Sequence, residues 1–417
     1  MAFATLCLQS PSFVGRLGAS EESNPRPEPD TVSNWLILSL YLSRIISSIR
    51  LMKYNWQQKD WPRFKYDPSH VEDVIFAFIE ENGLVSGLVK GLPENIQLES
   101  VIDMMVTEAI KTSEIEGEYL SRQDVVSSIR RNLGLQESYK IKDKKAAGAG
   151  KLIVEVRNSY EDPLTTQTLF AWHKMLLQKS TKLNTGMWRS RREPMQVFSG
   201  TIGKEKIHFE APPSKQVPRE MKRFIKWFND TAPGGNNEMK KAPIRSAIAH
   251  LYFESIHPFE DGNGRIGRAI AEKALSQTIG RPVLLSLSPS IEADKKSYYA
   301  ALEKAQQSNE INGWIKYFVN IIYNAQVAAK KMIEFTLKKT KFLDHFKDQL
   351  NSRQLKVISK MLDSGIKGFQ GGMTAKKYIS VTRTSKATAT RDLQILTEAG
   401  ILMPEGGGRS THYILNI

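Results

Sequence analysis

A helical periodicity of apolar residues is the feature that most limits how this chain can fold. From Val71 to about Thr340, apolar residues recur three and four positions apart in one segment after another, which is the period of an amphipathic α-helix. Because amphipathic helices bury their apolar faces against one another, this pattern predicts an all-α domain over most of the chain. Clear examples are VEDVIFAFIEENGLVSGLV, LESVIDMMVTEAIKTSEIEG, TTQTLFAWHKMLLQ, PREMKRFIKWFNDT and IRSAIAHLYFESI.

The segment EPMQVFSGTIGKEKIHFEAPP breaks this helical pattern. Its residues alternate around a glycine-containing turn, with Val197 and Phe198 before the turn and Ile207 and Phe209 after it. This arrangement predicts a short β-hairpin. A hairpin is marginally stable alone and must lean on other structure. We interpret it either as a surface excursion or as a flap over a functional site.

A different pattern begins at about Asn351. TAKKYISV predicts a helix, TRTS a turn, and KATATRDLQILTEAG a second helix, with Ser385 as its N-cap and Gly400 at its end. GILMPEGGGRSTHYIL then predicts two short strands around Gly406 to Gly408. Together these elements predict a small α/β domain of the winged helix-turn-helix type.

Basic and hydroxyl side chains surround the predicted turn of this C-terminal domain. A recognition helix uses such side chains near its start to contact DNA phosphates and base edges, so the pattern favours DNA binding. Winged helices also dock proteins or dimerise, which leaves protein docking and a homodimer open as alternatives. The side chains are Lys376, Lys377, Arg383, Thr384, Ser385, Lys386, Thr388, Thr390 and Arg391.

Residues 1–51 are low in charge, rich in Ser and Pro, and without a sustained period. The apolar stretch from Trp35 to Leu51 is interrupted by Arg44 and Arg50, so no membrane span is predicted. We interpret 1–51 as disordered or as an over-extended start, with the physiological start at Met52.

Cysteine content and net charge indicate the compartment and the partners of the protein. A single cysteine, Cys7, excludes an intrachain disulfide and favours a reducing, cytoplasmic compartment. The formal net charge of +15 favours anionic partners such as nucleotides, nucleic acid or acidic proteins, although a lysine-rich surface also simply keeps a protein soluble.

The segment HPFEDGNGRIGR places polar and small residues directly after a predicted buried helix. Pro258 ends that helix, and RIGRAIAEKALSQ predicts the next one. Glycines at a junction between a loop and a helix let backbone N–H groups turn toward an anion, and the positive end of the helix dipole favours it. The sequence therefore predicts a phosphate cradle made of Gly262, Asn263 and Gly264.

Charged side chains of the same segment supply further chemistry. Arg265 and Arg268 lie three positions apart on the predicted helix, so both are expected to hold further phosphates. Asp261 is expected to hold Mg²⁺ against phosphate oxygens, because Mg²⁺ favours carboxylate and water ligands. His257 is expected to take a proton from an attacking hydroxyl. These parts predict Mg²⁺-assisted nucleotidyl transfer rather than a merely structural turn.

This segment resembles the Fic motif, His-x-Phe-x-(Asp/Glu)-Gly-Asn-Gly-Arg-x-x-Arg, and matches it at every fixed position. The resemblance covers roughly residues 53–323. Fic proteins are helical enzymes, and most transfer AMP from ATP to a protein hydroxyl with release of pyrophosphate. The resemblance implies that His257 is the general base and Asp261 the Mg²⁺ ligand. It implies that the cradle binds the phosphates, with Arg265 and Arg268 on the β- and γ-phosphates.

Two further segments extend the resemblance. The opening YNWQQKDWPRFKYD is similar to a module found ahead of some bacterial Fic domains, although Trp56 and Trp61 are expected to be packing aromatics. The predicted hairpin is similar to the family's flap, which aligns the target chain by strand addition. The flap residues are Ser199, Gly200, Thr201, Ile202, Gly203 and Ile207.

A second motif points to regulation. Thr112, Glu116 and Gly117 match the family's inhibitory pattern (Ser/Thr)-x-x-x-Glu-(Gly/Asn). In that family the glutamate reaches the arginine at the position of Arg268 and occupies the γ-phosphate region. A carboxylate there keeps ATP out of its reactive pose because like charges repel. The resemblance therefore implies auto-inhibition.

The prediction as a whole is an all-α Fic helical fold with a β-hairpin flap, plus the small α/β winged helix-turn-helix domain. Its domains are residues 1–51, a helical module with the inhibitory motif at 52–135, the Fic domain at 136–340, and the winged domain at 341–417. ATP and a hydroxyl-bearing target protein are the expected partners. Two alternatives stay open: a DNA-binding regulator whose Fic domain senses nucleotide, and an enzyme that removes AMP or uses another nucleotide.

Overall fold

The structure is a computed structural model that describes residues 54–136, 138–177, 184–200, 206–366 and 368–417. The predicted start at Met52, the segment before it and the hairpin residues Thr201, Ile202 and Gly203 lie outside these ranges. The chain divides into two compact units. The first comprises Met1–Asp73, of which 54–73 are described, Glu108–Val283 and Leu287–Ile321, and the second comprises Val74–Thr107, Leu284–Ser286 and Ile322–Ile417.

The described chain is mostly helical, as the apolar periodicity predicts. Each segment quoted above for that periodicity forms a helix within a few residues of its predicted limits. In chain order the helices are α1 (Glu72–Lys90), α2 (Glu94–Ile115), α3 (Arg122–Asn132), α4 (Lys144–Asn158), α5 (Thr166–Leu176), α6 (Val217–Asp230), α7 (Ala242–Ile256), α8 (Asn263–Ile279), α9 (Ser288–Ala293), α10 (Lys295–Ala305), α11 (Asn312–Phe346), α12 (Ser352–Leu362), α13 (Ala375–Thr382) and α14 (Lys386–Glu398).

Helix α7 is the central helix of the first unit, because every one of its residues is buried. It packs against α8, and the aromatic rings of Phe224, Tyr252 and Phe253 join α6 to this pair. Arg245 is also fully buried on α7, where its guanidinium donates to the carbonyl oxygens of Phe228 and Ala274 and to polar side chains. A buried arginine is tolerated when its donors are satisfied in this way. The result is a rigid support for the residues that follow Ile256.

The predicted hairpin is present as two antiparallel strands, β1 (Gln196–Ser199) and β2 (Lys206–Glu210). It leans on residues near the start of the described chain. The Trp56 indole N–H donates to the Glu210 carbonyl at 2.7 Å, and Phe209 packs in a small core with Tyr54 and Met195. These contacts supply the support that an isolated hairpin lacks. Both tryptophans in this region pack against other side chains, since Trp61 lies edge-on against Tyr252 and Trp56 packs against the small core around Phe209.

In the second unit, α12, α13 and α14 are followed by the antiparallel strands β3 (Leu402–Glu405) and β4 (His412–Leu415). Helices α13 and α14 lie within a few residues of the predicted pair, and the Ser385 hydroxyl caps α14. Buried Asp392 accepts a hydrogen bond from the Tyr378 hydroxyl at 2.9 Å, which ties the two helices together. The shared core is Val357, Ile358, Met361, Leu362, Met373, Tyr378, Ala389, Leu393, Leu396, Ile401 and Leu402.

A separate cluster in the second unit joins α1, α2 and α11 through Val85, Val89, Met104 and Ile333. Over the ranges that the structure describes, every helix is too short or too polar to cross a bilayer.

Candidate active site

His257 stands at the C-terminal end of α7 in a left-handed backbone conformation, with φ of 49°. Such a φ is uncommon for a residue with a side chain. Arg189 holds the turn, since its Nε donates to the His257 carbonyl at 2.8 Å and its Nη2 reaches the Ile256 carbonyl at 3.3 Å. Pro258 then prevents the helix from continuing. The backbone at His257 is therefore fixed by a residue that lies far from it in the sequence.

Arg189 is itself buried, and burial lowers the pKa of its guanidinium to about 10. It also donates to the Pro212 carbonyl and the Ser214 hydroxyl. We expect Arg189→Met to lower the free energy of unfolding by about 3 kcal/mol or more, because several buried carbonyls lose their partner. Chemical denaturation would measure this, with the exposed Arg192→Met as the control. Equal stability of the two variants would contradict the role of Arg189.

Two side chains shape the loop that follows His257. The Asn263 amide both donates to the Phe259 carbonyl at 2.8 Å and accepts from the Phe259 N–H at 2.9 Å. The His173 ring stacks on Phe259 at 4.1 Å and bonds to the Asp261 carbonyl at 3.1 Å. Its other nitrogen accepts from the Gly186 N–H, so the ring is neutral. The Asn263 side chain thus serves the loop, and only its backbone is left to face an anion.

Helix α8 begins at Asn263, with Gly262 as a left-handed N-cap residue at φ 83°. Gly262, Asn263 and Gly264 line a cavity of about 660 Å³. His257, Asp261 and Arg268 also line this cavity. The structure therefore brings the imidazole, a carboxylate, a guanidinium and a helix N-terminus to one space. A helix N-terminus with a nearby guanidinium is a site for phosphate groups.

Arg268 is buried on α8 and is held by the end of helix α2. Its Nε donates to the Thr112 hydroxyl at 2.7 Å, and its Nη2 donates to the Glu116 carboxylate at 2.7 Å. Burial alone would lower the pKa of Arg268, but Glu116 together with Tyr298 and Tyr299 outweighs burial and the pKa is raised. Gly117 follows in a left-handed conformation at φ 81°, which turns the chain away.

The absence of a side chain on Gly264 leaves room for the Glu116 carboxylate. A Cβ on Gly264 would lie 2.3 Å from Glu116 Oε1 and 3.2 Å from Arg268 Nη1. The missing side chain thus creates a space at the helix N-terminus, and a carboxylate fills it. Because Glu116 also lines the cavity, it occupies the region in which a phosphate would meet Arg268.

Arg265 lies on the same helix but has different surroundings. Its guanidinium contacts the Glu118 carboxylate and lies 3.5 Å from Asp261 Oδ1. Glu118 also accepts from Lys145 at 2.7 Å. Burial would raise the pKa of Glu118, but Arg265 and Lys145 lower it. Arg265 does not contribute to the cavity wall, so the two arginines of the motif are separated here, each paired to its own carboxylate.

The hairpin contributes one wall of the cavity through Val197, His208 and Phe209. His208 links the hairpin to α10, since its Nε2 bonds to the Ser199 hydroxyl at 2.6 Å and its Nδ1 to the Glu303 carboxylate at 2.7 Å. Ile207, on the other face of β2, is exposed. Gly200, the last described residue before the gap, has φ 115°.

Helix α10 contributes further residues to the cavity wall. Lys295, Tyr298 and Tyr299 line the cavity there. The Lys295 ammonium donates to the carbonyl of Ile115, the last residue of α2. Burial lowers the pKa of this lysine, although Glu116 acts in the opposite direction. Lys295 thus stabilises the same helix end that carries Glu116.

Asp261 is the only residue of the motif that the sequence assigns to a metal. Its Oδ1 accepts from the Gly262 N–H at 2.6 Å, and its side chain is 38% exposed. In the described ranges no group of three or more His, Cys, Asp or Glu residues is arranged to hold an ion. Mg²⁺ is commonly bound through one or two carboxylates, water and substrate phosphates. The Asp261 carboxylate therefore fits an Mg²⁺ ion that arrives together with a nucleotide.

Sequence reasoning missed several residues that hold this site. Arg189 and His173 lie outside the motif, and neither has a spacing that relates it to His257 or Asp261. Glu118 follows the inhibitory pattern by two positions, but nothing in the local sequence indicates a partner on α8. Glu254 was missed as well. The available signal for it was a charged residue inside the apolar segment LYFESI.

Comparisons with family models match two parts of the chain. Residues 163–275 match the model described as Fic/DOC family. Residues 54–135 match a domain of unknown function, DUF4172.

Curated relatives match about a third of this chain. A "Probable protein adenylyltransferase" of Aquifex aeolicus is 27% identical over 153 residues, 36% of this chain and 41% of that protein. "Protein adenylyltransferase fic-1" of Caenorhabditis elegans is 27% identical over 145 residues, 34% of this chain and 24% of that protein. The chain thus spans less than half the length of each of these relatives. Together with the Fic/DOC match, they support a Fic-family protein.

Solved structures give a weaker likeness. A Fic family protein from Desulfovibrio desulfuricans G20 aligns with a TM-score of 0.46 and 19% identity, covering 85% of this chain and 98% of that chain. A Fic domain containing signaling protein from Bacteroides thetaiotaomicron aligns with a TM-score of 0.46 and 17% identity, covering 64% of this chain and 97% of that chain.

Proposed function

We propose that this protein is an auto-inhibited protein adenylyltransferase. It transfers AMP from ATP to a Ser, Thr or Tyr hydroxyl of a target protein, and to itself, and releases pyrophosphate. The observation that carries the proposal is the single cavity lined by His257, the N-terminus of α8, Arg268 and Glu116. The curated relatives, which are named protein adenylyltransferases, support the same activity.

In this proposal His257 takes the proton of the target hydroxyl as that oxygen forms a bond to the α-phosphorus of ATP. The bond from the α-phosphorus to the bridging oxygen breaks, and pyrophosphate leaves. Backbone N–H groups at the start of α8 bind the phosphates, together with Arg268 and with Arg265 once it leaves Glu118. Asp261 would hold Mg²⁺, which neutralises phosphate charge when it is bound. The protein itself positions ATP and the target hydroxyl and supplies His257 as the proton acceptor.

The position of Glu116 supports the proposed auto-inhibition. Its carboxylate is hydrogen-bonded to Arg268 at 2.7 Å and fills the space beside Gly264. A γ-phosphate carries the same charge as this carboxylate and needs the same guanidinium, so the two exclude one another. Thr112 reinforces the inhibited arrangement, because its hydroxyl accepts from Arg268 Nε.

The hairpin is proposed to act as the flap that receives the target chain. An extended segment of the target would pair with a strand edge, and main-chain hydrogen bonds would place its hydroxyl over His257. Ser199, Gly200 and Ile207 belong to the described part of this flap, and Thr201, Ile202 and Gly203 lie outside it.

Labelled ATP tests the proposed function. Purified protein is incubated with Mg²⁺ and with ATP that is labelled on either the α- or the γ-phosphate, and the protein is then separated on a gel. We expect protein-bound label only from the α-labelled nucleotide. Incorporation from the γ-labelled nucleotide would indicate phosphoryl transfer and would overturn the proposal.

We also propose that residues 341–417 form a winged helix-turn-helix domain that binds DNA. Arg383, Lys386 and Arg391 are exposed around the start of α14, where a recognition helix would contact phosphates. Lys377 is engaged otherwise, because its ammonium donates to the Gln370 and Gly372 carbonyls at 2.7 and 2.8 Å. A cytoplasmic location is part of the proposal, and the content of a single cysteine favours it because such a content suits a reducing compartment.

A gel-shift assay on the full chain tests the DNA proposal. We expect binding at low salt that weakens steeply as salt rises, with each lost phosphate contact lowering the slope of log affinity against log salt by about 0.9. Lys386→Ala with Arg391→Ala should reduce both the affinity and this slope. Lys356→Ala with Lys360→Ala, on exposed positions of α12, is the matched control. Absence of a shift even at low salt would favour protein docking.

A further inference from the structure

One buried carboxylate beside His257 has no part in the reaction described above. Glu254 lies on α7, one turn before His257, and is 5% exposed. Its Oε2 lies 3.7 Å from Nδ1 of His257, and its Oε1 is buried without a hydrogen-bond partner among the described residues. A buried, incompletely satisfied carboxylate is destabilising. Its position next to the proposed base therefore needs an explanation other than packing.

Gly267 makes room for this carboxylate. A Cβ on Gly267 would lie 2.3 Å from Glu254 Oε1 and 3.2 Å from the His250 ring. Helices α7 and α8 can therefore approach closely at this point, with the carboxylate between them. The fold accommodates Glu254 through the absence of a side chain on the facing helix.

The surroundings of Glu254 favour its ionised form. Burial would raise the pKa of this carboxyl, but His257, His250 and Arg268 outweigh burial and lower it. The His250 Nε2 is bonded to the Tyr298 hydroxyl at 2.7 Å, so His250 is itself engaged. His250 on α7 lies near Glu254, and the other ionisable residues that line the cavity with the pair are Glu116, His208, Asp261, Arg268, Lys295, Lys296, Tyr298, Tyr299 and Glu303.

We propose that Glu254 is a positioning residue that accepts a hydrogen bond from Nδ1–H of His257 and leaves Nε2 free to receive the proton of the target hydroxyl. The effect of Glu254 on the reaction rests on the proposed function, whereas its effect on the His257 ring rests on the geometry alone. A carboxylate in this place selects one tautomer, orients the ring and stabilises the imidazolium that forms during proton transfer. The separation of 3.7 Å is longer than a hydrogen bond, and we expect it to shorten when a substrate binds, as catalytic hydrogen bonds commonly do.

Nuclear magnetic resonance tests the geometry without any activity. Histidine-selective ¹⁵N labelling of the full chain gives the tautomer and the pKa of His257, with His257→Gln used to assign its signals. We expect the Nδ1–H tautomer in the parent. Glu254→Gln should lower the pKa of His257, because an adjacent negative charge favours the imidazolium and its loss favours the neutral ring. An Nε2–H tautomer in the parent, or an unchanged pKa of His257 in Glu254→Gln, would overturn the proposal.

Kinetics test the consequence, in a Glu116→Gly background. Glu254→Gln should lower kcat by about 10- to 100-fold and leave KM for ATP within about twofold. The base acts as the neutral imidazole, so the rate rises with pH through the pKa of His257. With Glu254→Gln this rise should move to lower pH. A lower kcat with an unmoved pH profile would indicate a merely structural role and would overturn the proposal.

Gly267→Ala provides an independent variant that keeps the charge but displaces the carboxylate. It should lower kcat like Glu254→Gln, whereas Gly313→Ala, where a Cβ would meet nothing within 4 Å, should not. If Gly267→Ala kept the kcat of the parent, the reaction would not depend on the position of the Glu254 carboxylate, which would contradict the proposal. If no variant transfers AMP at all, the proposed function fails, and the tautomer and pKa of His257 still decide whether Glu254 positions the ring.

Discussion

Replacement of Glu116 by glycine should raise the rate of AMP incorporation by about 10- to 100-fold, which is the usual range of an intramolecular coupling. The variant removes the carboxylate that is bonded to Arg268 at 2.7 Å and that fills the space beside Gly264. The guanidinium and the N-terminus of α8 then become available to the phosphates of ATP. Time courses with α-labelled ATP, with the protein itself as the acceptor, would measure the change.

Glu114→Gly is the matched control for this variant. Glu114 lies two positions earlier, and its carboxylate pairs with Lys111 rather than with Arg268. The control therefore removes the same charge and introduces the same glycine while the contact with Arg268 stays intact. Equal incorporation by parent, control and Glu116→Gly would show that Glu116 does not restrain the reaction.

Replacement of His257 by alanine should lower the AMP transfer of the Glu116→Gly variant by about 10²- to 10⁴-fold, the range that a positioned acid or base contributes. The imidazole is the titratable group at the end of α7 that lines the cavity beside Gly262, Gly264 and Arg268, which are proposed to bind the phosphates. Its loss leaves the target hydroxyl without a proton acceptor but leaves the N-terminus of α8 and Arg268 in place. ATP affinity, measured by calorimetry, should therefore change by no more than about threefold.

His70→Ala is the control for this second prediction, because the His70 side chain is 64% exposed and near the start of α1. Retention of transfer by His257→Ala would remove His257 from the reaction. Loss of ATP binding together with transfer would instead assign the histidine to the nucleotide site and contradict its role as the base.

Much of the local structure followed from short-range patterns in the sequence. The apolar periodicity predicted the helices, because the side chains that decide a helix lie within a few positions of one another. The alternation around Val197 and Phe209 predicted the hairpin in the same way. The break at Pro258 and the glycines Gly262 and Gly264 indicated a loop that leads into a helix N-terminus.

The residues that hold the site in place could not be predicted from such short-range patterns. Arg189 holds His257 across 68 positions, and His173 holds Asp261 across 88. Neither residue carries a local signal, since an arginine in a polar segment and a histidine in an amphipathic helix suit many surroundings. The predicted equivalence of Arg265 and Arg268 also did not show that each pairs with a different carboxylate.

By itself, then, the sequence determined the helices, the hairpin and the chemistry concentrated between His257 and Arg268, because each depends on neighbours along the chain. Only the tertiary structure decided which carboxylate meets which cation. Glu116 and Arg268 are 152 positions apart, and their contact requires α2 to end where α8 begins and Gly264 to leave room for the carboxylate. Such contacts depend on how helices pack, and helix packing is set by the whole set of buried side chains rather than by any one segment.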